Sequence, residues 1–146
     1  MLIDARAPVI AAGPYAVRRL EATEMARAYP LARLLESRAS LSDWRRFGAS
    51  LSRRGQRRDG GILGALDLRG YLHGLCAYMA LPELSGGRRL AVSNMVLVDL
   101  ADSRGVLAGL AAAIERLGEQ LDCGVIGLEL PIRGAADDFD ARFLAA

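Results

Sequence analysis

The stretch Val96-Leu97-Val98-Asp99-Leu100-Ala101-Asp102-Ser103-Arg104-Gly105-Val106-Leu107-Ala108-Gly109-Leu110 changes its period in the middle. To the left, an apolar run reaching back to Leu90 has the continuous hydrophobicity of a buried strand. To the right, Leu107, Leu110, Ile114, Leu117 and Leu121 recur at spacings of three and four, which predicts an amphipathic helix over residues 103–121. Ser103 is placed to cap it, and Glu115, Arg116, Glu119 and Gln120 fall on its wet face. Cys123-Gly124 stops the helix, and the apolar run at residues 125–130 predicts another strand before Pro131. A strand, an amphipathic helix and a second strand form a right-handed crossover, so the two strands run parallel with the helix packed on the sheet.

Upstream the period is that of strands again. Residues 62–68 and 71–81 are apolar runs joined by Arg69-Gly70, which suits a hairpin, and a turn at residues 82–87 leads into the strand within residues 88–100. These make a three-stranded antiparallel meander. Before it, Ser40 and Asp43 flank a helix N-terminus, and Leu41, Trp44, Phe47 and Leu51 recur at helical spacing. An earlier helix carries Met25, Tyr29 and Leu31, with Thr23 as its candidate cap and Pro30 expected to kink or split it. A short strand is expected at residues 15–21, an irregular arm at residues 1–14 and a last short helix at residues 135–144. No repeat or linker divides residues 15–146, so the order describes one domain with a mixed α/β (α+β) sheet.

Composition narrows the chemistry. The chain has 146 residues and is 52% hydrophobic, enough for a single real core. Its formal charge of +2 announces no polyanionic partner, and all 19 basic residues are arginine, which removes lysine Schiff-base chemistry. Cys76 and Cys123 stand apart in apolar stretches without metal-ligand spacing, and His73, the only histidine, makes no histidine metal cluster, so no metal site is expected. No basic start followed by a long apolar run marks a signal peptide, and no apolar run approaches a membrane span, which places the expected protein in the cytoplasm with no membrane partner. Arg53, Arg54, Arg57 and Arg58 form the densest basic patch; nucleic-acid contact there ranks below a solvated loop, because Trp44 and Phe47, the nearby aromatics, sit at core spacing.

The element order over residues 15–143, with its strand running into a glycine-containing turn and helix, is similar to that of the GNAT superfamily of acyl-CoA N-acyltransferases. Members usually carry Gln or Arg, two arbitrary residues, Gly, one arbitrary residue, then Gly or Ala. Arg104 and Gly109 match the outer positions, and Leu107 stands where the middle glycine is expected, so that its Cβ would crowd an approaching phosphate. Near the chain end Ala136, Phe139 and Phe143 resemble the family's small and aromatic helix, with Asp140 where many members place a thiolate-protonating tyrosine. The resemblance implies a GNAT-like fold lacking the usual last strands.

It also implies a function: transfer of an acetyl or other acyl group from acyl-CoA, as co-substrate, to an unidentified amine. The cofactor contacts would be Val96 and Val98 along the pantetheine arm, and Arg104, Gly105, Val106, Leu107, Ala108 and Gly109 around the pyrophosphate, because amides at a helix N-terminus bind anions. A neutral amine would attack the thioester while a carboxylate or water takes its proton. Glu83, Asp99 and Glu129 are the candidate carboxylates, and Glu129 leads because burial in an apolar strand would raise its pKa. A GNAT-like module that holds CoA, a small ligand or a protein without catalysis stays open beside the enzyme. Ser93 and Asn94 interrupt the central apolar run and mark either a β-bulge facing a ligand or polarity facing solvent. His73 is expected in a hydrogen-bonded core or sheet-face role. The strand at residues 125–130 is expected at a bare sheet edge, covered either by the arm at residues 1–13 or, preferably, by a second copy in a symmetric homodimer.

Overall fold

A computed structural model describes residues 10–12, 14–53, 59–98, 102–129 and 133–134. In chain order the elements are β1 (Ile10–Ala12), β2 (Tyr15–Arg19), a 3-10 turn (Ala22–Glu24), α1 (Met25–Leu35), α2 (Leu41–Arg53), β3 (Gly60–Leu66), β4 (Leu72–Pro82), β5 (Arg88–Leu97), α3 (Ser103–Gln120), β6 (Val125–Leu128) and β7 (Arg133–Gly134). They build one seven-stranded sheet of order β1-β2-β3-β4-β5-β6, with β7 also on β5. β1 to β5 pair antiparallel in succession, and β6 joins β5 in parallel after the α3 crossover.

Strand alternation sends apolar side chains to both faces, and each face has its own helix layer. On one face Val17, Leu63, Cys76, Tyr78, Leu90 and Val92 meet Val106, Leu107, Leu110, Ile114 and Leu117 of α3. On the other, Ile62, Leu75, Ala77 and Val96 lie under Met25, Leu31 and Trp44 from α1 and α2. Polar groups in these layers are satisfied: the Trp44 indole donates to the Met25 carbonyl at 2.8 Å, and among the described residues no buried side-chain polar atom lacks a partner. α2 opens as its sequence predicts, the Ser40 hydroxyl accepting from the Asp43 amide (3.0 Å) and the Asp43 carboxylate from the Ser40 amide (2.9 Å).

Several local expectations are corrected. The turn before α1 is closed by Glu21 and Glu24 rather than Thr23, with Glu24 accepting from the Glu21 amide at 2.9 Å while its carboxylate takes both arms of Arg18 (2.7 and 2.6 Å). Pro30 lies inside a single helix and does not split it; Pro30 and Ala26 are both exposed, so water can serve the carbonyl that proline leaves without a donor. Asp102, one residue before Ser103, caps α3. Part of the expected irregular arm is a strand, since Ile10–Ala12 pairs with β2 at the sheet margin opposite β6 and therefore does not cover the β6 edge. β6 itself ends at Leu128 rather than residue 130. The expected helix at residues 135–144 and the arginine-rich loop from residue 54 to 58 lie outside the described residues.

Candidate active site

β5 carries the irregularity that sets the site. On its outer side β6 pairs with it from Arg89 to Val92, and β7 pairs with Val96 and Leu97. On its other side β5 bulges against β4, the register slipping between Leu75↔Val96 and Ala77↔Ser93. Asn94 absorbs the extra residue at φ 54°, a left-handed conformation that asparagine tolerates better than most side chains. The polar pair in the apolar run thus marks a β-bulge. Asn94 is exposed while Val92 and Met95 beside it are 1% and 2% exposed, so this bulge, or notch, turns its asparagine to solvent within an otherwise buried strand.

Glu129 stands at the rim of the notch. Its amide donates to the Val92 carbonyl at 2.9 Å, extending the parallel pairing one residue beyond β6. Ile126 faces α3, its Cδ1 3.4 Å from where a Cβ on Gly118 would sit, and Leu128 packs on the α3-side core. Alternation therefore puts Val125, Gly127 and Glu129 on the opposite face, beside Arg89, Ala91 and Ser93. The expectation that Glu129 is buried is overturned: it is exposed, because β6 is the outer strand and Val125 and Ile126 are themselves 51% and 41% exposed.

The other candidate carboxylates do not converge on this point. Glu83 is half-buried in the β4–β5 turn, its amide donating to the Gly87 carbonyl at 2.7 Å. That turn precedes Arg88, five residues of extended strand or about 17 Å from Ser93. Asp99 lies outside the described residues, as do Ala136, Phe139, Asp140 and Phe143.

Beyond β5 the backbone enters the α3 N-terminus. The Val98 amide donates to the His73 carbonyl at 2.9 Å, Val98 is half-buried and Val96 is fully buried. The Asp102 carboxylate accepts from the Gly105 amide at 3.2 Å, and its carbonyl accepts from the Val106 amide at 3.1 Å. A Cβ on Gly105 would come within 2.7 Å of the Asp102 carboxylate carbon, so the glycine admits this cap. Because α3 already begins at Ser103, the amides of Leu107, Ala108 and Gly109 are spent inside the helix, and those left without a helical acceptor belong to its opening residues Ser103 and Arg104. Leu107 and Val106 point into the core and Gly109 is buried in the second turn, so Leu107 does not crowd the helix end; Arg104 and Ala108 are the exposed residues there.

A hydrogen-bonded pair between Asp67 and His73 escaped the sequence reading. Asp67 accepts from the Arg69 and Tyr71 amides (2.8 and 3.0 Å) and with its other oxygen meets His73 Nε2 at 2.7 Å. The His73 ring also lies against Tyr15 with centroids 5.3 Å apart, a hydrogen-bonded sheet role of the kind expected for it. The bond from His73 leads the causes that hold the Asp67 carboxyl below its ordinary range. The available signal was an aspartate opening the Arg69-Gly70 turn with a histidine just beyond it.

These features define a class: the fold is that of the GNAT acetyltransferases. A GNAT family acetyltransferase from Staphylococcus aureus superposes with a TM-score of 0.66 at 14% identity, covering 88% of this chain and 95% of that one. The ribosomal-protein-alanine N-acetyltransferase of Brucella melitensis gives 0.64 at 20% identity over 90% and 88% of the two chains. An aminoglycoside N-acetyltransferase in complex with CoA gives 0.64 at 15% identity over 80% and 77%. No protein-family model matches the sequence, and no curated protein matches it.

Proposed function

We propose that the protein is an N-acyltransferase that moves an acetyl or other acyl group from acyl-CoA to an amine. The observation that carries this reading is the notch in β5: a bulge at Ser93, Asn94 and Met95 with Asn94 exposed, beside a parallel strand and with the Glu129 carboxylate next to it. A thioester lying there offers its carbonyl to a neutral amine. The C–N bond forms, the C–S bond breaks, Glu129 or water takes the amine proton, and CoA leaves as the thiolate, to be protonated from solvent. With its burial overturned, Glu129 is favoured as the base by its place beside the bulge alone. Val96 and Val98 would flank the pantetheine arm with their backbone, and the α3 opening at Ser103 and Arg104, with the Arg104 side chain, would meet the phosphates; Gly105, Val106, Leu107, Ala108 and Gly109 would support that turn.

Calorimetry with acetyl-CoA and release of CoA thiol with a panel of amines test the reading. Glu129→Gln should lower kcat by tenfold or more with little change in acetyl-CoA affinity. Absence of acetyl-CoA binding would refute the reading outright.

A second reading, a GNAT-like module that binds without catalysis, is favoured by one observation: the Asp102 carboxylate already occupies an amide at the helix end that a phosphate would use. Acetyl-CoA binding without turnover on any amine would select it. We further infer a cytoplasmic protein that dimerises along the β6 edge, whose exposed Val125 and Ile126 suit a symmetric contact. A monomer by sedimentation at micromolar concentration would exclude the dimer.

A further inference from the structure

We propose that the acceptor carries an anionic group beside its amine and that Arg89 selects it. This rests on the acyl-transfer reading. Arg89 and Glu129 are both exposed on the α1 and α2 side of the β5–β6 pair, with the small residues Ala91 and Gly127 and the half-buried Ser93 between them. Arg89 leans along the strand: a Cβ on Gly127 would lie 3.4 Å from its Cδ and 4.0 Å from its Nη1. Gly127 thus leaves the lane open in which the guanidinium lies.

From Gly127 to Glu129 is two residues of strand, about 7 Å. An acceptor lying over this lane can meet the Arg89 guanidinium with a carboxylate and the Glu129 carboxylate with its amine, each across a hydrogen bond of about 2.9 Å. The same carboxylate of Glu129 that takes the amine proton would then fix the nitrogen beside the notch at Ser93 and Asn94. Both charges are on exposed side chains, so each end of the acceptor exchanges water for a charge-assisted bond without a buried charge being left behind.

The test compares L-alanine with L-alaninol, amines of similar basicity that differ in the carboxylate, by CoA thiol release from acetyl-CoA. The ratio of kcat/KM should favour the acid by roughly two- to fivefold, the scale of an exposed charge-assisted contact. Arg89→Gln should bring that ratio close to one, and Arg89→Glu should invert it. Arg89→Lys should restore part of the preference. Thermal midpoints of the variants, read alongside, exclude a folding defect, since Arg89 is exposed. Transfer with equal ratios in the native protein, or an acid preference that survives Arg89→Gln, overturns the proposal and leaves the acyl-transfer reading standing. Failure to bind acetyl-CoA, or binding without transfer to either amine, removes the transfer reading and the proposal with it.

Discussion

Replacing Gly74 by alanine should loosen the joint between the sheet and the helix that opens beside the candidate site. Gly74 is buried on β4, paired with Ala65 and Leu97. A Cβ there would stand 2.7 Å from Val106 Cγ1, 2.9 Å from Leu97 Cδ2 and 3.2 Å from the Val96 carbonyl oxygen. The last is backbone and cannot rotate away, and a helical valine is confined to essentially one χ1 rotamer, so the first turn of α3 must move. Overpacking of this kind costs about 1–3 kcal/mol, against roughly 0.5–1 kcal/mol returned by removing a glycine from the unfolded ensemble. The net loss is about 0.5–2 kcal/mol, or a fall of roughly 2–8 °C in Tm for a domain of this size. Thermal unfolding of Gly74→Ala, Val106→Ala and the double variant provides the assay. Deleting Val106 Cγ1 vacates the space that the new methyl needs, so the double variant should lose less than the sum of the singles. A Tm that rises in Gly74→Ala, with strictly additive singles, would refute the reasoning.

Trp44→Phe keeps an aromatic ring but removes the indole's bond to the Met25 carbonyl, which retains its donor within α1, and should cost about 0.5–1.5 kcal/mol in a denaturant titration. Acid should destabilise the fold through Glu24 and Asp67: pairing with Arg18 and His73, respectively, lowers each carboxyl below its unfolded value. Their contribution is therefore intact above the ordinary carboxylate range of about 4 and is lost as pH falls through the lowered values; Asp67→Asn should flatten the acid limb of a stability–pH curve. Burial pushes the Cys76 thiol up to about 12, whereas Cys123 is only partly buried, so the native protein should offer an aromatic disulfide reagent one slowly reacting thiol and the unfolded protein two.

Much of the fold was written in local pattern. The meander, the crossover helix and the parallel return strand follow from continuous apolar runs and from spacings of three and four, because a strand between two helix layers buries both faces and a surface helix buries one. The α2 cap was legible for the same reason, since Ser40 and Asp43 bond each other's amides within one turn. The bulge was legible as one of two readings, because Ser93 and Asn94 break a run from Leu90 to Val98 that otherwise buries both faces of its strand.

What the sequence did not settle lies where separate elements meet. An apolar run resembles a buried strand even at a sheet margin: β6 takes the outer place expected of it among the described strands, and that place leaves Glu129 in water where its apolar neighbours suggest burial. Leu107 departs from a motif in one dimension but turns into the core in three, because α3 starts at Ser103. Arg89 and Glu129 are forty residues apart in the chain. The parallel register of β5 and β6 puts them on one face, since hydrogen bonding between strands is set by the crossover and not by any local signal.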